Sequence, residues 1–142
     1  MSSNSKFAIA VHALSVLGYF GNNPVTSEII AASVNTNPVV IRRIFGILKR
    51  AGLVESQPGN QGGLSLARSP DRITLADIYR ALETERFIKI HGNPENKKCP
   101  VSRNIKPVLD HVLESTERLI DNSLEKTTLA DLITQIRKED MG

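Results

Sequence analysis

Residues 37–54 read NPVVIRRIFGILKRAGLV, and the fold follows from this stretch. Asn37 is a good helix N-cap, and Pro38 suits the first helical position, where its missing N–H would have no partner anyway. Ile41, Ile44, Phe45 and Leu48 recur at helical spacing and make a tight apolar stripe. Gly52 is placed to end the helix in the left-handed conformation. At about 100° per residue, this stripe turns Val39, Arg43, Gly46 and Arg50 outward and leaves Val40 and Arg42 on the flanks. An amphipathic helix from Pro38 to about Ala51, with basic side chains on its outer face, is expected.

Upstream, Phe7, Ala10, Val11, Leu14, Leu17 and Gly18 predict a helix over 6–20, stopped by Gly21-Asn22-Asn23-Pro24. A short helix follows, capped by Thr26 or Ser27, with Ile29, Ile30 and Val34 facing inward. Asn35 and Thr36 make a brief turn into Asn37. Downstream, 53–57 and 64–68 read as two strands around the Gly-rich turn 58–63, hence a hairpin. Ser69 to Arg72 reads as a loop. Thr74-Leu75-Ala76-Asp77 opens another helix with a capping-box pattern, and Thr128-Leu129-Ala130-Asp131 repeats it for a last helix to about Lys138. Between them, residues 85–100 are irregular, and one long helix covers roughly 101–126. Pro107 suggests a start nearer Asn104. Ile105, Val108, Leu109, Val112, Leu113, Leu119, Ile120 and Leu124 give the long helix a wide apolar stripe.

The expected fold is mainly α with a small β-hairpin: a winged helix-turn-helix plus a long C-terminal dimerisation helix. The expected division is a winged-helix DNA-binding domain at 1–83, a linker loop at 84–100, and a dimerisation helix with the terminal helix at 101–142. A stripe as broad as that of the long helix, in so small a chain, suggests a two-fold partner covering Ile105, Val108, Leu109, Val112, Leu113, Leu119 and Ile120.

The chain has 142 residues, 40% of them hydrophobic, which is ordinary for a folded domain. Its net charge of +3 is unevenly placed. Residues 1–83 hold eight Lys/Arg against five Asp/Glu, whereas 84–142 hold ten of each. A nucleic-acid surface is therefore sought in the first part. Apolar runs fall short of the roughly 20 residues that span a membrane. The N-terminal segment has no secretory pattern, so a cytoplasmic location is expected.

Candidate DNA contacts are Thr26, Ser27 and Asn37 at the two helix starts; Val39, Val40, Arg42, Arg43, Lys49 and Arg50 on the third helix; and Asn60 and Gln61 at the hairpin tip. Arginine can bridge guanine O6 and N7 or bind phosphate, and valine can meet a thymine methyl. Lysine and the wing would add phosphate contacts.

NPVVIRRI at 37–44, KRAGLV at 49–54, GNQGGLSLAR at 59–68, ITLADIYRAL at 73–82 and the NPxxxxCPV segment at 93–101 resemble the Rrf2 (Rrf-two) family of bacterial winged-helix transcription regulators. The likeness spans nearly the whole chain and is strongest to the cysteine-poor members from Gram-positive bacteria. It implies a homodimer gripping a pseudo-palindromic operator in double-stranded DNA, most often as a repressor. It also implies that the long helix carries the dimer contact. Family members that bind an iron–sulfur cluster use three cysteines in the segment where this chain has only Cys99. No cofactor is therefore expected.

Cys99 follows Lys97 and Lys98 and precedes a helix start, a setting that favours a thiolate. It is a candidate redox sensor, open to a bond with its symmetry mate or to a thiol-reactive or small-molecule effector. An inert cysteine packed on the long helix is the other reading. His12, His91 and His111 read as structural or solvent-facing. Tyr19, Phe20 and Tyr79 read as core aromatics more than as a ligand pocket. No nucleophile–base pair, metal cluster or cofactor loop marks an enzyme. An alternative function is a winged-helix protein-interaction module regulated by a metabolic enzyme partner.

Overall fold

Local hydrogen bonds fix the helix boundaries of the first half. In the computed structural model, which describes residues 3–21, 23–82 and 88–142, the order is α1 (Ser3–Tyr19), α2 (Ser27–Val34), α3 (Pro38–Arg50), β1 (Val54–Gln57), β2 (Gly63–Leu66), a 3-10 turn (Pro70–Arg72), α4 (Leu75–Leu82), α5 (Pro100–Glu125) and α6 (Leu129–Met141). The expected boundary at 83/84 and the start of the linker lie outside the described residues, as does Asn22 in the stop after α1. Thr26 Oγ1 caps α2 by accepting from the Ile29 N–H (3.3 Å). Asn35, at φ +63°, turns the chain out of α2 in the left-handed conformation that asparagine tolerates. Asn37 Oδ1 then accepts from the Val39 N–H (2.9 Å) and starts α3.

The end of α3 is a Schellman motif. Gly52, at φ +77°, donates to the Lys49 carbonyl, and Leu53 donates to the Leu48 carbonyl. Leu48 and Leu53 are both fully buried, so the turn is locked by packing as well as by hydrogen bonds. β1 and β2 then pair antiparallel, with Val54 opposite Leu66 and Gln57 opposite Gly63. Leu64 exchanges two backbone hydrogen bonds with Val25 (2.8 and 2.9 Å), tying β2 to the segment before α2. Gly63 is required there, because a Cβ would come within 2.8 Å of the Val25 backbone.

α1 is the centre of the core. Ala10, Ala13, Leu14 and Leu17 line its buried face, and α2, α4 and α6 pack against it. Ile41, Ile44, Phe45 and Leu48 of α3 pack there as the periodicity predicts. Ile29 does not. It is 57% exposed, because Ile30 and Ala31 take the inward positions of the two-turn α2. Tyr79 packs edge-to-face on Phe7 and Tyr19 lies under the Arg137 guanidinium, whereas Phe20, expected in the core, is 66% exposed at the end of α1.

α5 starts at Pro100, earlier than Pro107 suggested. Pro100 takes the first helical position, and Pro107 sits inside the helix, where it leaves the Arg103 carbonyl without its helical donor. Both residues are exposed, so water can serve that carbonyl. α6 packs on α1, and its Leu129 and Ile133 are core residues. The sequence division groups α6 with α5, but the buried face of α6 belongs with the N-terminal helices. The two Thr-Leu-Ala-Asp segments are reciprocal capping boxes, and they also bridge each other at Thr74 and Thr128.

Candidate nucleic-acid interface

The outer face of α3 is open. Val39 is 50% exposed, and Arg43 and Arg50 are exposed with no hydrogen-bond or ion-pair partner among the described residues. Arg50 reaches back over Gly46, where an added Cβ would stand 3.8 Å from Nη1. Two other basic residues lie on the flank, Lys49 against the hairpin and Arg42 against α2. Lys49 donates to Ser56 Oγ of β1 (2.7 Å). Arg42 Nη1 donates to Ser27 Oγ (3.2 Å) and pairs with Glu28 Oε1 (3.4 Å). Between α2, α3 and the hairpin runs an open groove of about 440 Å³, lined by Ser27, Arg42, Gly46, Lys49, Ser56 and Gly62 among others.

Val40 lies on the flank of α3, as its angle to the core stripe predicts. It lies about 100° from Val39 around the helix and is half-buried against the core. It thus supports the helix more than it faces a duplex. Thr26 and Asn37 also serve first as caps, so their side-chain oxygens already accept backbone hydrogen bonds. Asn60 and Gln61 are exposed at the hairpin tip. The tip is narrow, since a Cβ on Gly62 would collide with the Gln57 carbonyl.

The wide stripe of α5 resolves into two faces. Val101, Ile105, Val108, Val112 and Leu119 follow one line along the helix and are between 37% and 68% exposed. Leu113, about 100° away, is buried within its own chain, and Ile120 and Leu124 beside it are half-buried. Leu109, 37% exposed, lies between the two. α4 holds the inward side of α5 through Arg80, whose guanidinium grips Asp121 at 2.9 and 2.7 Å and Glu125 at 2.7 Å. That grip holds the Asp121 carboxyl below the usual carboxylate range.

Cys99 is the N-cap residue of α5 and is half-buried. His12 joins α1 to α2 through Ser33 Oγ (3.0 Å), and His91 Nδ1 accepts from the Asn93 N–H. Among the described residues no three His, Cys, Asp or Glu side chains stand together as metal ligands. Nor is any helix long and apolar enough to cross a membrane. Sequence reasoning missed Glu28 and Ser56, which reach the basic residues of α3 only once α2 and β1 are folded against it.

The profile of the Rrf2 family, described as an iron-dependent transcriptional regulator, matches residues 3–135. YwnA of Bacillus subtilis, named a putative HTH-type transcriptional regulator, is 41% identical over 94% of this chain and 98% of its own length. Among solved structures, IscR of T. potens superposes with a TM-score of 0.74 at 29% identity, covering 97% of this chain and 90% of that one. CymR, the global cysteine regulator of B. subtilis, superposes with a TM-score of 0.66 at 26% identity, covering 95% and 96%. YwnA and CymR both carry the name of a regulator. The iron dependence in the family description does not fit the donors present. Iron–sulfur ligation takes several thiolates, and this chain has one cysteine. The helix-turn-helix, the wing and the match along nearly the whole chain make this protein a member of the Rrf2 family of transcription regulators.

Proposed function

We propose that this protein is a homodimeric, sequence-specific repressor that grips a pseudo-palindromic operator with one winged helix per half-site. The observation that carries this reading is the outer face of α3, where Arg43 and Arg50 stand exposed beside Val39 with no partner among the described residues. Unpaired guanidinium groups on a protruding helix match the edge of guanine and the phosphates beside it. Arg42 would contact a base or a phosphate, and Lys49 and the wing tip residues Asn60 and Gln61 would hold the backbone on either side. A site of this kind acts in the cytoplasm, where a bacterial regulator meets its DNA. The exposed line from Val101 to Leu119 on α5 supports a two-fold partner, since a contiguous apolar line on a regulator marks an association surface.

Cys99 supports a thiol response as well. It stands at the junction between the irregular loop and α5, so a disulfide to its symmetry mate or an adduct would act where the two parts meet. The interaction-module reading is not favoured, because the relatives are transcription regulators.

Selection of duplexes from a random pool, followed by mobility shifts with competitor DNA, tests the proposal. Enrichment of an inverted repeat with half-sites about one helical turn apart is expected. A pool that stays random after repeated rounds would defeat it. The thiol response is tested on the same duplex: Cys99→Ser should abolish any oxidant effect, and an unchanged effect removes Cys99 from the account.

A further inference from the structure

We infer that Gly46 is the point where a phosphate of the duplex comes closest to α3, seated on bare helix inside a ring of four cationic side chains. The inference deepens the DNA-binding reading above and rests on it.

Four glycines line the groove between α2, α3 and the hairpin: Gly46, Gly59, Gly62 and Gly63. The hairpin accounts for the last three. Gly59 stands at φ +102° and Gly63 at φ +155°, where a side chain is strained. A Cβ on Gly62 would collide with the Gln57 carbonyl, and one on Gly63 with the Val25 backbone. Gly46 has no such reason. It lies in the middle of α3, in ordinary helical backbone. Apart from its chain neighbours and the helix backbone, an added Cβ would meet only Arg50 Nη1 among the described residues, at 3.8 Å. That is a normal contact with the far end of a flexible side chain. Alanine would fit there and would favour the helix. The glycine thus weakens α3 and serves no packing within the chain.

Its surroundings define what the space admits. On a helix, residues three and four positions away are neighbours. For Gly46 these are Arg42, Arg43, Lys49 and Arg50, all of them cationic and exposed. The one carboxylate lining the groove, Glu28, is paired with Arg42. A base edge is recognised by donors and acceptors that reach out to it. Gly46 offers none, because its N–H and C=O belong to the helix ladder. It offers room, and the ring around it offers positive charge. The phosphate is the part of a duplex that uses both. The sugar–phosphate strand can lie against the helix with no side chain between, while the surrounding guanidinium and ammonium groups close on the phosphate oxygens.

Gly46→Ala and Gly46→Leu test this, by urea denaturation and by fluorescence anisotropy on the selected operator and on a scrambled duplex of equal length, across a salt series. Gly46→Ala should lower the unfolding equilibrium constant about two- to fivefold, since alanine is the better helix former. Its affinity should fall about tenfold on both duplexes, and that of Gly46→Leu further. The slope of log K against log salt should become shallower by about 0.9 for each phosphate lost. In an Arg50→Ala background, Gly46→Ala should still weaken binding. A raised unfolding constant would place the role of the glycine in the fold and overturn the inference. So would Gly46→Leu protein that binds as tightly as wild type. A loss confined to the operator, with an unchanged slope, would put a base edge at Gly46 and overturn the phosphate seat. A loss that vanishes without Arg50 would overturn it too, because the added methyl would then act only by displacing that side chain. Wild-type protein that binds neither duplex would instead overturn the DNA-binding reading itself.

Discussion

Replacing Val108 with lysine separates the association face proposed for α5 from the fold of the single chain. Val108 is 61% exposed in one chain, so the substitution has almost nothing to disrupt there. Surface changes of this kind stay within about 0.5 kcal/mol. In a two-fold dimer the exposed part of Val108 would be buried, and buried twice. Full burial of a valine side chain is worth about 1.5 kcal/mol at the low end, so the exposed fraction is worth about 1 kcal/mol per chain. The symmetric pair gives about 2 kcal/mol, and a desolvated ammonium can only add to the loss. Since each 1.4 kcal/mol is tenfold, the dimer Kd should rise about 30-fold or more. Sedimentation equilibrium over a micromolar concentration series measures this, with circular dichroism confirming unchanged helicity. Wild-type protein that stays monomeric at tens of micromolar refutes the reasoning. So does a Val108→Lys dimer whose Kd lies within threefold of wild type.

Leu113, also on α5 but buried in its own chain, behaves in the opposite way. Leu113→Ala should cost about 2–4 kcal/mol in urea denaturation, and a cost below 1 kcal/mol would place that side chain elsewhere. Gly52→Ala forces a Cβ into φ +77° and should lose about 1–2 kcal/mol, read as an earlier urea midpoint; an unchanged midpoint would contradict the Schellman turn. The Arg80 clamp carries a pH signature. Because the folded-state pKa of Asp121 is depressed, its contribution is present above the ordinary carboxylate value and is lost as pH falls through its own lower one. Carboxyl-detected NMR should find the Asp121 midpoint below that of an unpaired aspartate, and Arg80→Gln should restore it; a midpoint already in the ordinary range would show the clamp to be open.

Features set by neighbours in sequence were legible in it. The Asn37–Pro38 start, the stripe from Ile41 to Leu48 and the Gly52 stop each depend on hydrogen bonds or burial within one helix and its ends. So does the exposure of Arg43, which follows from its angle to that stripe. Features set across the fold were not legible. Ile29 could be assigned inward because a two-turn helix offers too few residues to define its face. Pro107 looked like a helix start because an exposed proline inside a long helix leaves no mark in periodicity. The stripe of α5 read as a single surface, although Leu113 and Val108 point about 100° or more apart, the first buried in its own chain and the second exposed. The burial of Leu129 and Ile133 on α1 joins residues more than 100 positions apart, and no local pattern encodes that. The pairing of Arg42 with Glu28 likewise needs the crossing of α2 and α3 before it exists.

Binding of the selected operator by Arg43→Ala protein, set beside wild type and a Lys138→Ala control from the terminal helix, decides whether α3 is the reading element. Affinity should fall by about 1–3 kcal/mol, roughly 5- to 150-fold, for Arg43→Ala and stay within about twofold for the control. Equal affinity for all three proteins would mean that the duplex lies on some other face of the molecule.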